Sequence, residues 1–171
     1  DWSSDVCSSD LCDGLIVLLD RPDLGLDELL QLVPGPDFPT GGIIMGRQGI
    51  VEAYATGKGR LTLRARAQVI EEGRSTHILI TEVPFQVSRL PLMAEIGELV
   101  KNERIKDISG VRDESAARKG EPVRIVVELK RNADPHLVLN QLYQYSSLQK
   151  TVSISMLAIA DGRPQILPLK D

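Results

Sequence analysis

From residue 60 to residue 69 the chain alternates without a break. Arg60, Thr62, Arg64, Arg66 and Gln68 share one parity, and Leu61, Leu63, Ala65, Ala67 and Val69 share the other. A strand repeats every two residues, whereas a helix would scatter the two sets around its surface, so the pattern predicts one strand with a basic, polar face and an apolar face turned to a core.

Two glycine-rich stretches precede this strand, Gly46-Arg47-Gln48-Gly49 and Gly57-Lys58-Gly59. They read as loops that place cations on backbone able to approach an anion closely. Between Glu52 and Glu71 stand Lys58, Arg60, Arg64 and Arg66 with no acid, although the formal net charge of the 171 residues is -4. The overall balance excludes a uniformly polycationic binder, while the local field stays positive. Like charges in a row repel unless something neutralises them. Phosphate oxygens do so, and the guanidinium fork matches their geometry. Arg47, Lys58, Arg60, Arg64 and Arg66 are therefore the candidate contacts to a nucleic-acid backbone, and the plain alternative is a solvated sheet face.

The remaining elements follow from periodicity and breakers. Residues 12–19 form an apolar helical run stopped at Asp20-Arg21-Pro22. A second short helix, 26–33, ends at Pro34-Gly35-Pro36. Neither can bury itself alone. Residues 75–83 are a strand stopped by Pro84, and Gly73 predicts a hairpin joining it to the basic strand. Ser88 is positioned to cap a helix that carries Pro91 in its first turn, places Leu92, Ile96, Leu99 and Val100 on one face and runs to about Arg104. A strand over 105–112, a charged loop over 113–120 and a half-buried strand over 123–131 come next. Asp134 before Pro135 marks a helix start, with Val138, Leu142 and Tyr145 inward. A strand over 151–159 is followed by Asp161-Gly162, a hairpin signal, and by 165–169. From Ser75 the order is strand, helix, strand, strand, helix, strand. This predicts an α+β, two-layer sandwich: an antiparallel sheet in ferredoxin-like βαββαβ order, with two helices on one face and the basic strand added by its hairpin.

Little points to chemistry. His77 and His136 have no cysteine or carboxylate at a useful spacing, so no catalytic residue and no metal site is expected. Asp113 and Glu114 read as solvated loop charges. The glycines form neither a Walker nor a dinucleotide fingerprint, so no cofactor is expected in these residues. No run approaches the roughly 18 apolar residues of a membrane span, and Cys7 and Cys12 are too few for a disulfide framework; a cytoplasmic setting is expected. Residues 1–11 lack periodicity, resemble a translated sequencing adaptor, and are set apart as non-native.

Several longer stretches carry a family likeness. Pro34-Gly35-Pro36-Asp37-Phe38-Pro39-Thr40-Gly41-Gly42-Ile43-Ile44-Met45-Gly46-Arg47-Gln48-Gly49-Ile50, Tyr54-Ala55-Thr56-Gly57-Lys58-Gly59-Arg60, Glu82-Val83-Pro84-Phe85-Gln86-Val87, Ile108-Ser109-Gly110-Val111-Arg112-Asp113-Glu114-Ser115 and Asn140-Gln141-Leu142-Tyr143 resemble the A subunit of bacterial DNA gyrase. The A subunit of topoisomerase IV is the close relative. The resemblance implies a type IIA DNA topoisomerase, which cuts one duplex, passes another through and reseals it. Residues 34–171 are similar to the tower domain of that protein, before its coiled-coil gate, and 12–33 to a helical tail of its winged-helix region. What it implies for these residues is positioning and bending of duplex DNA during ATP-dependent strand passage and supercoiling. The gyrase B subunit, a second A subunit, ATP and Mg²⁺ would be partners of the parent complex through other regions. The family's catalytic Arg-Tyr pair and its Ser-Gly-Ile wedge are missing here, so these residues should be inactive by themselves. The competing readings are a ferredoxin-like ligand sensor, an RNA reader, or a protein-interaction module that does not bind DNA.

Overall fold

The computed structural model describes residues 3–73, 75–115 and 123–171, with side chains from Ser9 onward. The charged loop expected at 113–120 lies largely outside the described residues. The chain order is α1 (Ser3–Asp20), α2 (Leu26–Leu32), β1 (Ile43–Met45), α3 (Gln48–Thr56), β2 (Lys58–Arg64), β3 (Arg66–Glu72), β4 (Ser75–Glu82), α4 (Arg89–Lys101), β5 (Ile108–Asp113), β6 (Ile125–Leu129), α5 (Pro135–Tyr145), β7 (Gln149–Ser155), β8 (Leu157–Ala160) and β9 (Arg163–Ile166). These residues fall into two compact units. One comprises the chain up to Pro39 with Ile44–Thr62 and Thr151–Asp171, and the other Thr40–Ile43 with Leu63–Lys150.

The second unit is the α+β sandwich expected from the sequence. Its four-stranded sheet has the order β3-β4-β6-β5, with every neighbour antiparallel. In register, Val69, Ile78, Val127 and Val111 line one row of a single face, and Ala67, Ile80 and Ile125 line the next. Against that face pack Leu92 and Ile96 of α4 and Val138 and Leu142 of α5, all fully buried. The helical period of these four residues is what the amphipathic pattern required. Ser88 occupies the position before α4 without a side-chain cap bond. Asp134 does cap α5: its Oδ1 accepts from the His136 N–H at 2.9 Å and the Leu137 N–H at 3.3 Å, with Pro135 just inside the helix.

The chain order β4-α4-β5-β6-α5-β7 is the expected βαββαβ, but β7 is not a member of this sheet. The edge beside β4 belongs to β3, and β7 pairs in a separate sheet with the order β1-β2-β7. The alternating stretch is thus two strands, not one. It breaks at Ala65, whose N–H donates to the Leu148 carbonyl at 2.8 Å. Parity survives the break: Leu61, Leu63 and Ala65 are buried and Arg60 and Arg66 exposed. The β3-β4 hairpin turns at Gly73, φ +62°, with Glu72 opposite Ser75. One irregularity interrupts its ladder, where Arg66 faces Glu82 while Ala67 faces Ile80, leaving Thr81 as the extra residue of a bulge.

In the first unit, residues 44–45, 58–62 and 151–155 supply most of the three-stranded sheet, and β8 and β9 form a hairpin through Asp161 (φ +52°) and Gly162 (φ +73°). α1 runs through Leu11 unbroken and continues to Asp20. It meets α2 at Gly14, where an added Cβ would lie 3.2 Å from the Val33 side chain. Leu29, Leu30, Val33, Ile50, Ala53, Tyr54 and Leu61 are buried. α3 occupies a stretch that reads as loop, because glycines at 46, 49 and 57 count against a helix. Among the described residues, no helix is long and apolar enough to cross a membrane.

Candidate nucleic-acid interface

The glycines that look like loop residues do something more specific. An added Cβ on Gly49 would run into the Arg60 carbonyl, and one on Gly59 would meet the Gly49 carbonyl at 2.6 Å and the Ala53 backbone N at 2.9 Å. Two missing side chains therefore let the backbone of α3 lie directly on β2. Gly57, φ +76°, closes α3 in the left-handed conformation, its N–H donating to the Ala53 carbonyl at 2.8 Å. These stretches are helix packing and a helix cap, where flexible phosphate-approaching loops were expected.

That packing brings three of the five candidate cations onto one open face. Arg47 sits immediately before α3, and Lys58 and Arg60 project from β2 on the exposed parity. A depression of about 530 Å³ is lined by Glu52, Lys58, Gly59, Arg60 and residues 153–155. A neighbouring one of about 300 Å³ is lined by Arg47, Gln48, Gly49, Glu52, Arg60 and Thr62, among others. Arg60 and Glu52 belong to both. Among the described residues no carboxylate comes within ion-pair distance of Arg47, Lys58 or Arg60. The Gln48 and Gly49 N–H groups in the first turn of α3 add partial positive charge to the same face.

The other two candidates lie in the second unit and are held by neighbours. Arg64 donates from Nε and Nη2 to Gln149 Oε1 at 2.9 and 2.7 Å, and its guanidinium carbon lies 4.5 Å from the Tyr143 ring centroid. The Tyr143 hydroxyl donates to the Ala65 carbonyl at 3.3 Å, and burial raises its pKa while the Arg64 charge opposes that rise. Arg66 Nε donates to Glu82 Oε1 at 2.8 Å, and Glu82 Oε2 accepts the Gly42 N–H at 2.5 Å.

Sequence reasoning did not find Glu82, Tyr143 or Gln149 at these positions, since each reaches its arginine from an element that only the folded chain brings alongside.

The groups read as non-catalytic are placed as follows. His77 lies on β4 opposite Glu128, and His136 is in the first turn of α5. Asp113 and Glu114 keep contact with solvent but are paired rather than free charges. Asp113 ends β5 and accepts both the Ser115 hydroxyl and its N–H, and Arg89 lies 3.3 Å away; the Ser115 bonds above all hold its carboxyl below the usual value. Glu114 pairs with Arg112 at 3.4 Å and Arg124 at 3.3 Å. Among the described residues, no group of three or more His, Cys, Asp or Glu is placed to hold a metal ion.

Residues 4–171 match the family described as the A subunit of DNA gyrase/topoisomerase IV. The chain is 48% identical over 166 residues to the DNA gyrase A subunit of Pseudomonas aeruginosa, covering 95% of this chain and 18% of that protein. It is 46% identical to the DNA gyrase A subunit of Clostridium acetobutylicum (94% and 19%), and 45% identical to the chloroplastic/mitochondrial DNA gyrase A subunit of Arabidopsis thaliana (95% and 17%). The chain thus spans about a fifth of the length of the curated relatives it matches. On this agreement, which runs through both units, the chain belongs to the family of DNA gyrase and topoisomerase IV A subunits.

Proposed function

We propose that this chain is a duplex-supporting part of the A subunit of a type IIA DNA topoisomerase, gripping the phosphate backbone while the parent enzyme cuts, passes and reseals DNA. The observation that carries this reading is the face shared by Arg47, Lys58 and Arg60: three cations without an ion-pair partner among the described residues, beside the first turn of α3 and along open, shallow ground. Such a surface suits a repeating polyanion. It offers charge and backbone N–H groups but no enclosed pocket for a small molecule. Contacts of this kind carry no base code, so what the chain contributes is support and bending of the duplex. Residues 34–171 correspond to the tower domain in this reading and 12–33 to the helical tail before it. Strand cleavage, ATP and Mg²⁺, the gyrase B subunit, plus the second A subunit, belong to the same proposal and act through regions outside this chain.

Duplex binding as a function of salt tests it. Three neutralised phosphates give a slope of log affinity against log salt of about -2.7 or steeper. Replacing Arg47, Lys58 and Arg60 together with alanine should remove most of that dependence. A flat response in the unaltered chain rejects the reading.

A further inference from the structure

The two arginines of the second unit differ in what lies beneath them, and the difference is one of charge. Arg66 rests on a carboxylate. Its Nε is 2.8 Å from Glu82 Oε1, and Glu82 is itself anchored by the Gly42 N–H. Arg64 rests on an amide. Gln149 Oε1 accepts two of its N–H groups, and the Tyr143 ring covers one side of the guanidinium. An amide oxygen and an aromatic face orient a cation without cancelling its charge, whereas a carboxylate does both. Among the described residues no acid pairs with Arg64. Its side chain is also half-buried and fixed at three points, so little rotamer freedom is left to lose when an anion arrives. Nη1 makes none of these contacts and is the donor left for an incoming oxygen.

We propose that Arg64 is the phosphate-contacting cation of the second unit, that Tyr143 and Gln149 are positioning residues that present it, and that Glu82 keeps Arg66 out of the contact. This rests on the duplex-binding reading above and adds a phosphate contact borne by the second unit itself. The two arginines are two residues apart in a basic run, yet the neighbouring strand β4 neutralises one while Gln149 leaves the other charged.

Two isosteric exchanges reverse the arrangement. Gln149→Glu places a carboxylate under Arg64 with almost no change of shape, and Glu82→Gln removes the one under Arg66. With Arg47, Lys58, Arg60 and Arg64 each neutralising one phosphate, the unaltered chain should show a salt slope of about -3.6 on a duplex of some 30 base pairs. Gln149→Glu should bring it to about -2.7, and Glu82→Gln should steepen it to about -4.5. A purely structural role for Gln149 would weaken binding through loss of fold without changing the slope, so an unchanged slope in Gln149→Glu overturns the proposal. Should Gln149→Glu fail to fold, Arg64→Gln is read on the same scale: loss of one phosphate equivalent supports the proposal and an unaltered slope overturns it. A flat slope in the unaltered chain rejects the duplex reading itself, and a steep one that Gln149→Glu leaves untouched rejects only the assignment of Arg64.

Discussion

Arg66 on β3 and Glu82 on β4 face each other across a bulge, with Nε and Oε1 2.8 Å apart, and the same carboxylate holds the Gly42 N–H. The two halves of this arrangement should differ in worth. The Arg66 side chain is 50% exposed, so Arg66→Ala should cost no more than about 1 kcal/mol. Glu82→Ala also strips a partly buried backbone N–H of its acceptor, and should cost about 1.5–3 kcal/mol. Urea denaturation of both variants checks the order.

Glycines 49 and 97 make opposite predictions from the same substitution. Gly49→Ala drives a Cβ into the Arg60 carbonyl. Backbone cannot step aside as a flexible side chain can, so the loss should reach about 2–3 kcal/mol. Gly97, within α4, has nothing within 4 Å of the added Cβ. Gly97→Ala should therefore stabilise by about 0.5–1 kcal/mol. Thermal melts of the two variants are the measurement.

Ile96 is fully buried between α4 and the sheet. Ile96→Ala should cost about 2–5 kcal/mol, depending on how far the surrounding side chains close the gap. Urea denaturation of this variant gives the figure directly.

Asp113 sets an acid-side dependence. Its folded pKa lies below the ordinary 3.8, first through the Ser115 hydrogen bonds and secondarily through Arg89. A depressed carboxylate stabilises the fold fully above its unfolded pKa and loses that contribution as pH falls through the folded value. The stability gap between the unaltered chain and Asp113→Asn should thus be widest above pH 3.8 and narrow below it. Denaturation at a series of pH values between neutrality and strong acid checks the sign.

Tyr143 gives the alkaline counterpart. Burial raises its pKa above 10.0, and the Arg64 charge holds that rise in check. The neutral hydroxyl supports the fold below the unfolded pKa, and the support is lost as pH rises through the folded one. Arg64→Gln should push the Tyr143 titration further upward in an ultraviolet pH titration.

Much of this arrangement is legible in the residues themselves. Alternation identifies which side chains of 60–69 are buried, since parity is a local property of extended backbone. It says nothing about which strand lies alongside, so the change of sheet at Ala65 is invisible to it, as is the departure of β7 from the four-stranded sheet. The Asp134-Pro135 helix start is readable because a cap acts within one turn. α3 is hidden because Gly49 disfavours helix locally, while its missing side chain permits the contact with β2 that holds the helix in place. The partner of Arg66 is hidden for a different reason. A regular continuation of the Glu72–Ser75 hairpin would set Thr81 opposite Arg66, and the bulge puts Glu82 there instead.

That bulge holds one residue more than a regular ladder needs. Removing Thr81 would close it with Glu82 still opposite Arg66, whereas an added residue between Ser75 and Ile80 would turn the inward side chains that follow it to the outer face. Among relatives, insertions between Ser75 and Ile80 should accordingly be purged, whereas hairpins one residue shorter at Thr81 should keep the Arg66–Glu82 pair.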